Sequence, residues 1–143
     1  MAEVAEVRQR VLTMVERARQ DATERRARVR RDEVQARRFI QETATPVVQQ
    51  VLSVLRVEGF SSSLSTPAGS VRIVFESRHE DFIDLAVDAT QDPVTIMTEV
   101  SHLHGKRVST TERPLAEDVE LEQLTDEHVL AFLLTALPQF VAR

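Results

Sequence analysis

The stretch from Gln9 to Arg38 reads QRVLTMVERARQDATERRARVRRDEVQARR. No glycine or proline occurs anywhere before Pro46, and arginine is the commonest residue up to that point. Straight-chain residues lose little rotamer freedom in a helix, so this composition predicts one long helix over residues 1–45. Its surface supports it. Glu6/Arg10, Asp21/Arg25, Glu24/Arg28 and Glu33/Arg37 place an acid four residues before a base. Each such pair contributes about 0.2–0.5 kcal/mol. Arg19, Arg26, Arg30, Arg31 and Arg38 have no acid at that spacing.

An apolar stripe runs along this helix through Val4, Val7, Val11, Met14/Val15, Ala18, Ala22, Val29, Ala36 and Ile40. Spacing by three and four is regular up to Ala18, and the stripe then thins to alanine and single valines. Val7, Ala18, Val29 and Ile40 repeat every eleven residues, the period of a nearly straight or slightly right-handed coil. A forty-residue helix is roughly 60 Å long, while a body of about 100 residues has a radius of gyration near roughly 13 Å. The helix therefore overhangs its body, and its stripe needs a partner helix, most simply that of a second copy. Val4, Val7, Val11, Val15, Ala18 and Val29 are the expected oligomer interface.

Charge divides along the chain. Residues 1–40 hold eleven arginines and seven acids, net +4, whereas residues 41–143 are net −9. Two units follow: a basic coiled-coil helix (1–45) and an acidic α+β body (46–143). The basic segment suits an anion, either nucleic acid or the acidic half of another copy. In RRARVRR (Arg25–Arg31), Arg25, Arg26, Arg28, Arg30 and Arg31 are the candidate duplex contacts, because the arginine fork is planar and permanently charged. The chain has no Trp or Tyr, so stacking on single-stranded bases is not expected.

Thr45-Pro46 marks a boundary. Pro clashes with a preceding turn but suits the start of a new helix, which Thr45 would cap. A single kinked helix is the alternative. Val47, Val48, Val51, Leu52 and Leu55 would be the buried face of the second helix, and Gly59 its end. The period then changes to two. Phe60–Thr66, Val71–Glu76, Phe82–Ala89 and Val94–His104 read as four strands of an antiparallel meander, one face apolar and the other acidic. Residues 105–118 (GKRVSTTERPLAED) read as a polar loop and Val119–Leu124 as a short edge strand. Thr125 caps a final helix with Asp126 and Glu127 in its first turn. That helix is apolar nearly all round, with Leu130, Leu133, Leu134 and Leu137 as core, and Pro138 kinks or ends it.

The composition removes several chemistries. There is no cysteine, hence no disulfide, thiolate nucleophile or zinc-thiolate site. Gly59, Gly69 and Gly105 are scattered at turns, so no phosphate-binding loop or dinucleotide fingerprint exists. No serine stands in a G-x-S-x-G elbow. His102-x-His104 puts two imidazoles on one strand face, and His79, Asp84 or Asp88 would have to complete a metal site. A solvated strand end explains the pair equally. Asp81, Asp84 and Asp88, with Glu76 and Glu99, read as a charged outer face. The apolar run Val129–Val141 is too short to span a bilayer, and the N-terminus has no signal-peptide core; a cytoplasmic protein is expected. The order helix, meander, helix is similar to that of small dimeric nucleoid-associated proteins, kinetochore-type heads and rotary-ATPase peripheral stalks, on element order alone.

The expectation is thus an α+β chain: a long coiled-coil helix, a short second helix, an antiparallel meander of about four strands, and a C-terminal apolar helix packed on the sheet. Its expected role is a non-enzymatic assembly or adaptor subunit without cofactor or metal. It would form a homodimer or join a partner helix and present its body to a protein partner. Duplex-DNA binding and an unrecognised hydrolase or metal protein are the alternatives.

Overall fold

A computed structural model describes residues 3–76, 78 and 80–142. Helix α1 spans Val4–Phe39, passes through a π turn at Ile40–Ala44 and continues as α2, Thr45–Val57. Pro46 therefore does not begin a separate helix. Without an N–H it cannot make the ordinary bond, and the wider π turn absorbs the mismatch. The N–H and the hydroxyl of Thr45 both donate to the carbonyl of Ile40, the hydroxyl at 2.8 Å. Thr45 is thus no cap; the kinked-helix alternative describes the chain.

The π turn also answers a packing problem. Ala36, Ile40, Ala44, Val48 and Leu52 are all buried and all four residues apart. On a straight α-helix such a row would wander by about 160°. A π turn takes up one extra residue, about 100°, and keeps the row over the sheet. Gly59, at φ 91°, closes α2. Phe60 N–H donates to Leu55 O at 2.9 Å and Gly59 N–H to Arg56 O at 3.0 Å, the pattern of a Schellman cap.

Five antiparallel strands follow in sequential order: β1 Ser62–Ser65, β2 Val71–Phe75, β3 Phe82–Asp88, β4 Thr95–His104 and β5 Arg107–Pro114. The first four correspond to the expected meander. The fifth corrects the loop reading of residues 105–118. His104 pairs with Arg107 across a two-residue turn, where Gly105 takes φ 60°, the left-handed value that a hairpin asks of glycine. Val119–Leu124 is not a strand either; a 3₁₀ turn occupies Leu121–Gln123.

Val71, Ile73, Phe75, Ile83, Leu85 and Ile96 form the inner face of the sheet, in one buried cluster with the α1–α2 row. Helix α3 (Asp126–Ala136) adds Val129, Leu133 and Ala136 to that cluster. It starts at Thr125, whose N–H donates to His128 Nδ1 at 3.0 Å, so histidine closes the capping box where glutamate is usual. Leu133 and Leu137 are core as expected and Leu130 is half-buried. Leu134 is not core: it is 63% exposed, because the helix turns only one side to the sheet. A short helix α4, Pro138–Val141, ends the fold. Among the described residues no helix is long and apolar enough to cross a membrane.

Candidate functional site

At 100° per residue, Val4, Val7, Val11, Val15, Ala18, Ala22, Val29, Ala36 and Ile40 fall within an arc of about 80°. The helix therefore carries one stripe used in two ways. From Val29 onwards it packs against the core of its own chain. Before Val29 the helix leaves the body, and Val4, Val7, Val11 and Met14 are 86%, 48%, 47% and 57% exposed. Val15 and Ala22 are half-buried by neighbouring turns of their own helix, and Ala18 is exposed. Of the expected interface residues, Val29 alone is packed against the core of its own chain.

The arginine run begins where the arm leaves the body. Arg28 Nη2 lies 2.5 Å from Asp92 Oδ2 in the β3–β4 turn. Its hydrogen bond and then its charge hold Arg28 protonated beyond the ordinary guanidinium range. Arg28 therefore does not close the expected i,i+4 pair with Glu24. Glu6/Arg10 and Glu33/Arg37 do close, at 2.9 and 2.8 Å. Arg25, Arg26, Arg30 and Arg31 are exposed. Arg26 donates to Thr23 Oγ1 at 3.3 Å.

The histidine pair shares a face, as alternation requires. The rings of His102 and His104 meet edge-on at 4.3 Å. His102 is otherwise held by packing. Its ring lies against Phe140 at 4.8 Å, and Phe140 stacks on Phe75 at 4.5 Å. His102 Nδ1 is 3.4 Å from Asp81 Oδ1 but makes no hydrogen bond among the described residues. That oxygen accepts instead from Leu103 N–H at 2.8 Å. His79 lies outside the described residues. Among the described residues no three His, Cys, Asp or Glu side chains are grouped to hold a metal ion.

The acids do not form one patch: Asp84 and Glu99 are partners across β3 and β4, whereas Asp88 pairs with Thr95 at the end of the strand. Like Asp81, Asp84 is buried rather than solvated, a correction to the expected charged outer face. It accepts from Arg72 Nε at 3.2 Å beside Ser70 Oγ at 3.2 Å. Arg72 in turn covers the ring of Phe82 at 4.2 Å, so this central carboxylate lies under its neighbours with its charge matched. Asp88 accepts from the hydroxyl and the N–H of Thr90, and these bonds hold its carboxyl below the usual range.

One surface was not legible in the sequence. Because β5 extends the sheet past α3, a groove of about 500 Å³ opens between them, lined by Val100, Thr111, Arg113, His128, Phe132 and Gln139 among others. The signal for it was the Gly105-Lys106 turn ahead of the β-branched Val108, Thr110 and Thr111. No protein-family model, curated protein or solved structure matches the chain.

Proposed function

We propose that this protein is a non-enzymatic assembly subunit that associates through the arm formed by residues 4–28. One observation carries the reading. The stripe that is buried on the sheet from Val29 to Leu52 continues along the arm, where none of the described residues of the body covers it. Apolar surface of this kind, projecting beyond a folded body, is stabilised by a second helix. The body then presents the β5–α3 groove to a protein partner, as an adaptor would. The matching of Asp84 by Arg72 and the packing of His102 against Phe140 support a structural role for these groups. Light scattering on the full chain tests the association: a mass of twice 16.2 kDa is expected. A monomer at tens of micromolar with intact helix content contradicts it.

A second reading, duplex-DNA binding, rests on the exposure of Arg25, Arg26, Arg30 and Arg31 on one arm. Exposed arginines on a projecting helix suit phosphates, and salt dependence is the measure of such contacts. Glu24, Asp32 and Glu33, close by in sequence, weigh against it.

A further inference from the structure

We propose that the arm pairs with the arm of a second copy in antiparallel orientation, with Val7 against Ala22, Val11 against Ala18 and Met14 against Val15. This rests on the association proposed above and adds its orientation and register. Two observations carry it: the position of the stripe and the order of charges.

The uncovered stripe from Val7 to Ala22 is nearly symmetric about its midpoint, so reversal returns apolar residues to apolar residues. Charge is not symmetric. Residues 3–7 hold Glu3 and Glu6 and no base, while residues 25–31 hold five arginines and no acid. A parallel pair would set Arg25 and Arg26, which flank the stripe, near their own copies. Like charges at that distance repel, and the two bodies would crowd the same end. Reversal brings Glu3 alongside Arg25 and Arg10 alongside Asp21, each contact occurring twice by symmetry. Arg8 and Arg19 approach on the opposite edge, which is the cost of the arrangement. An isologous contact of this kind closes as a dimer and leaves no unsatisfied end. In this register the Val4 end of one arm lies beside Arg25 of the other, close to where the arm meets the β3–β4 turn at Arg28.

The chain has no cysteine, so single introduced thiols report pairing without background. V7C and A22C are mixed, equilibrated and oxidised, and each is also oxidised alone. In the antiparallel register the mixture forms a Val7–Ala22 heterodisulfide. Val7→Cys alone forms none, because the two positions lie about 22 Å apart along the helix axis, against a Cα separation of about 4.4–6.8 Å for a disulfide. A disulfide from Val7→Cys alone overturns the orientation while leaving the dimer. No disulfide in any mixture, with doubled mass retained, overturns the register. A monomeric wild-type mass overturns the association itself.

Discussion

Arg28 and Asp92 are 64 residues apart in sequence, yet their side chains meet in an ion pair that ties the root of the arm to the β3–β4 turn. The hydrogen bond from Arg28 holds the Asp92 carboxyl below its ordinary value, with smaller help from the charges of Arg28 and Arg25 against partial desolvation. A depressed carboxylate contributes stability above its unfolded pKa and loses it as pH falls through the folded one. Arg28→Gln should therefore raise the Asp92 pKa towards its ordinary value, read by NMR titration. The stability difference between wild type and variant should be constant near neutral pH and vanish in acid. The pair is solvent-exposed, so a small difference is expected. An unchanged Asp92 titration would refute the assignment.

Leu133 is fully buried and Leu134, one position on, is 63% exposed. Leu133→Ala should cost about 2–5 kcal/mol by lost burial and a residual cavity. Leu134→Ala should fall within about 0.5 kcal/mol of wild type, as surface changes do. Denaturant unfolding checks both. Equal effects would mean that the face of α3 turned to the sheet is wrongly assigned.

Val7→Asp with Val11→Asp should weaken association, because charge would enter an apolar seam on both helices at a cost of several kcal/mol. A loss of at least tenfold in dimer affinity is expected, since about 1.4 kcal/mol corresponds to each factor of ten. Sedimentation over a concentration series measures it, with circular dichroism confirming that the helix persists. Unchanged affinity would place the interface elsewhere, with the β5–α3 groove next to be tested.

Arg26, Arg30 and Arg31 have no acid four residues before them, so changing all three to Gln should disturb the helix little. If the arm neutralises duplex phosphates, the slope of log K against log salt should flatten by about 0.9 for each phosphate that the variant leaves unneutralised. The assembly reading expects no duplex binding at about 50 mM salt. Tight binding there, abolished by the triple change with mass and helix content intact, would reverse the order of the two readings.

Those parts of the fold that bury one face were legible from periodicity. The α1–α2 row, β2 and β3 each set apolar residues at the spacing that their geometry requires, and the change of period falls at Gly59. Strand β5 was not legible because it is an edge strand, exposed along nearly its whole length. Its side chains meet water on both faces, so Ser109, Thr110, Glu112 and Arg113 resemble a loop, and only backbone pairing to β4 defines it. Asp84 misled for the converse reason. Alternation placed it on the polar face, but its partners Arg72 and Ser70 reach it only after β2 and β3 have paired. Pro46 read as a boundary because its clash is local, whereas the π turn that accommodates it is favoured by the core row on either side. The stripe on the arm was visible from spacing alone; where it leaves the body became visible only with the sheet in place.

The π turn at Ile40–Ala44 has a mechanical consequence. It sets the rotational phase between α2, keyed to the sheet by Val48 and Leu52, and everything N-terminal to it. The helix behaves as a shaft with a spline. Adding or removing one residue within the arm would turn the terminal part of the stripe by about 100° while leaving the body seated. The same change at residues 40–44 would unseat either Ala36 and Ile40 or Val48 and Leu52. In the proposed dimer, the azimuth at which one body presents itself to the other is thus encoded in five residues far along the helix from the contact.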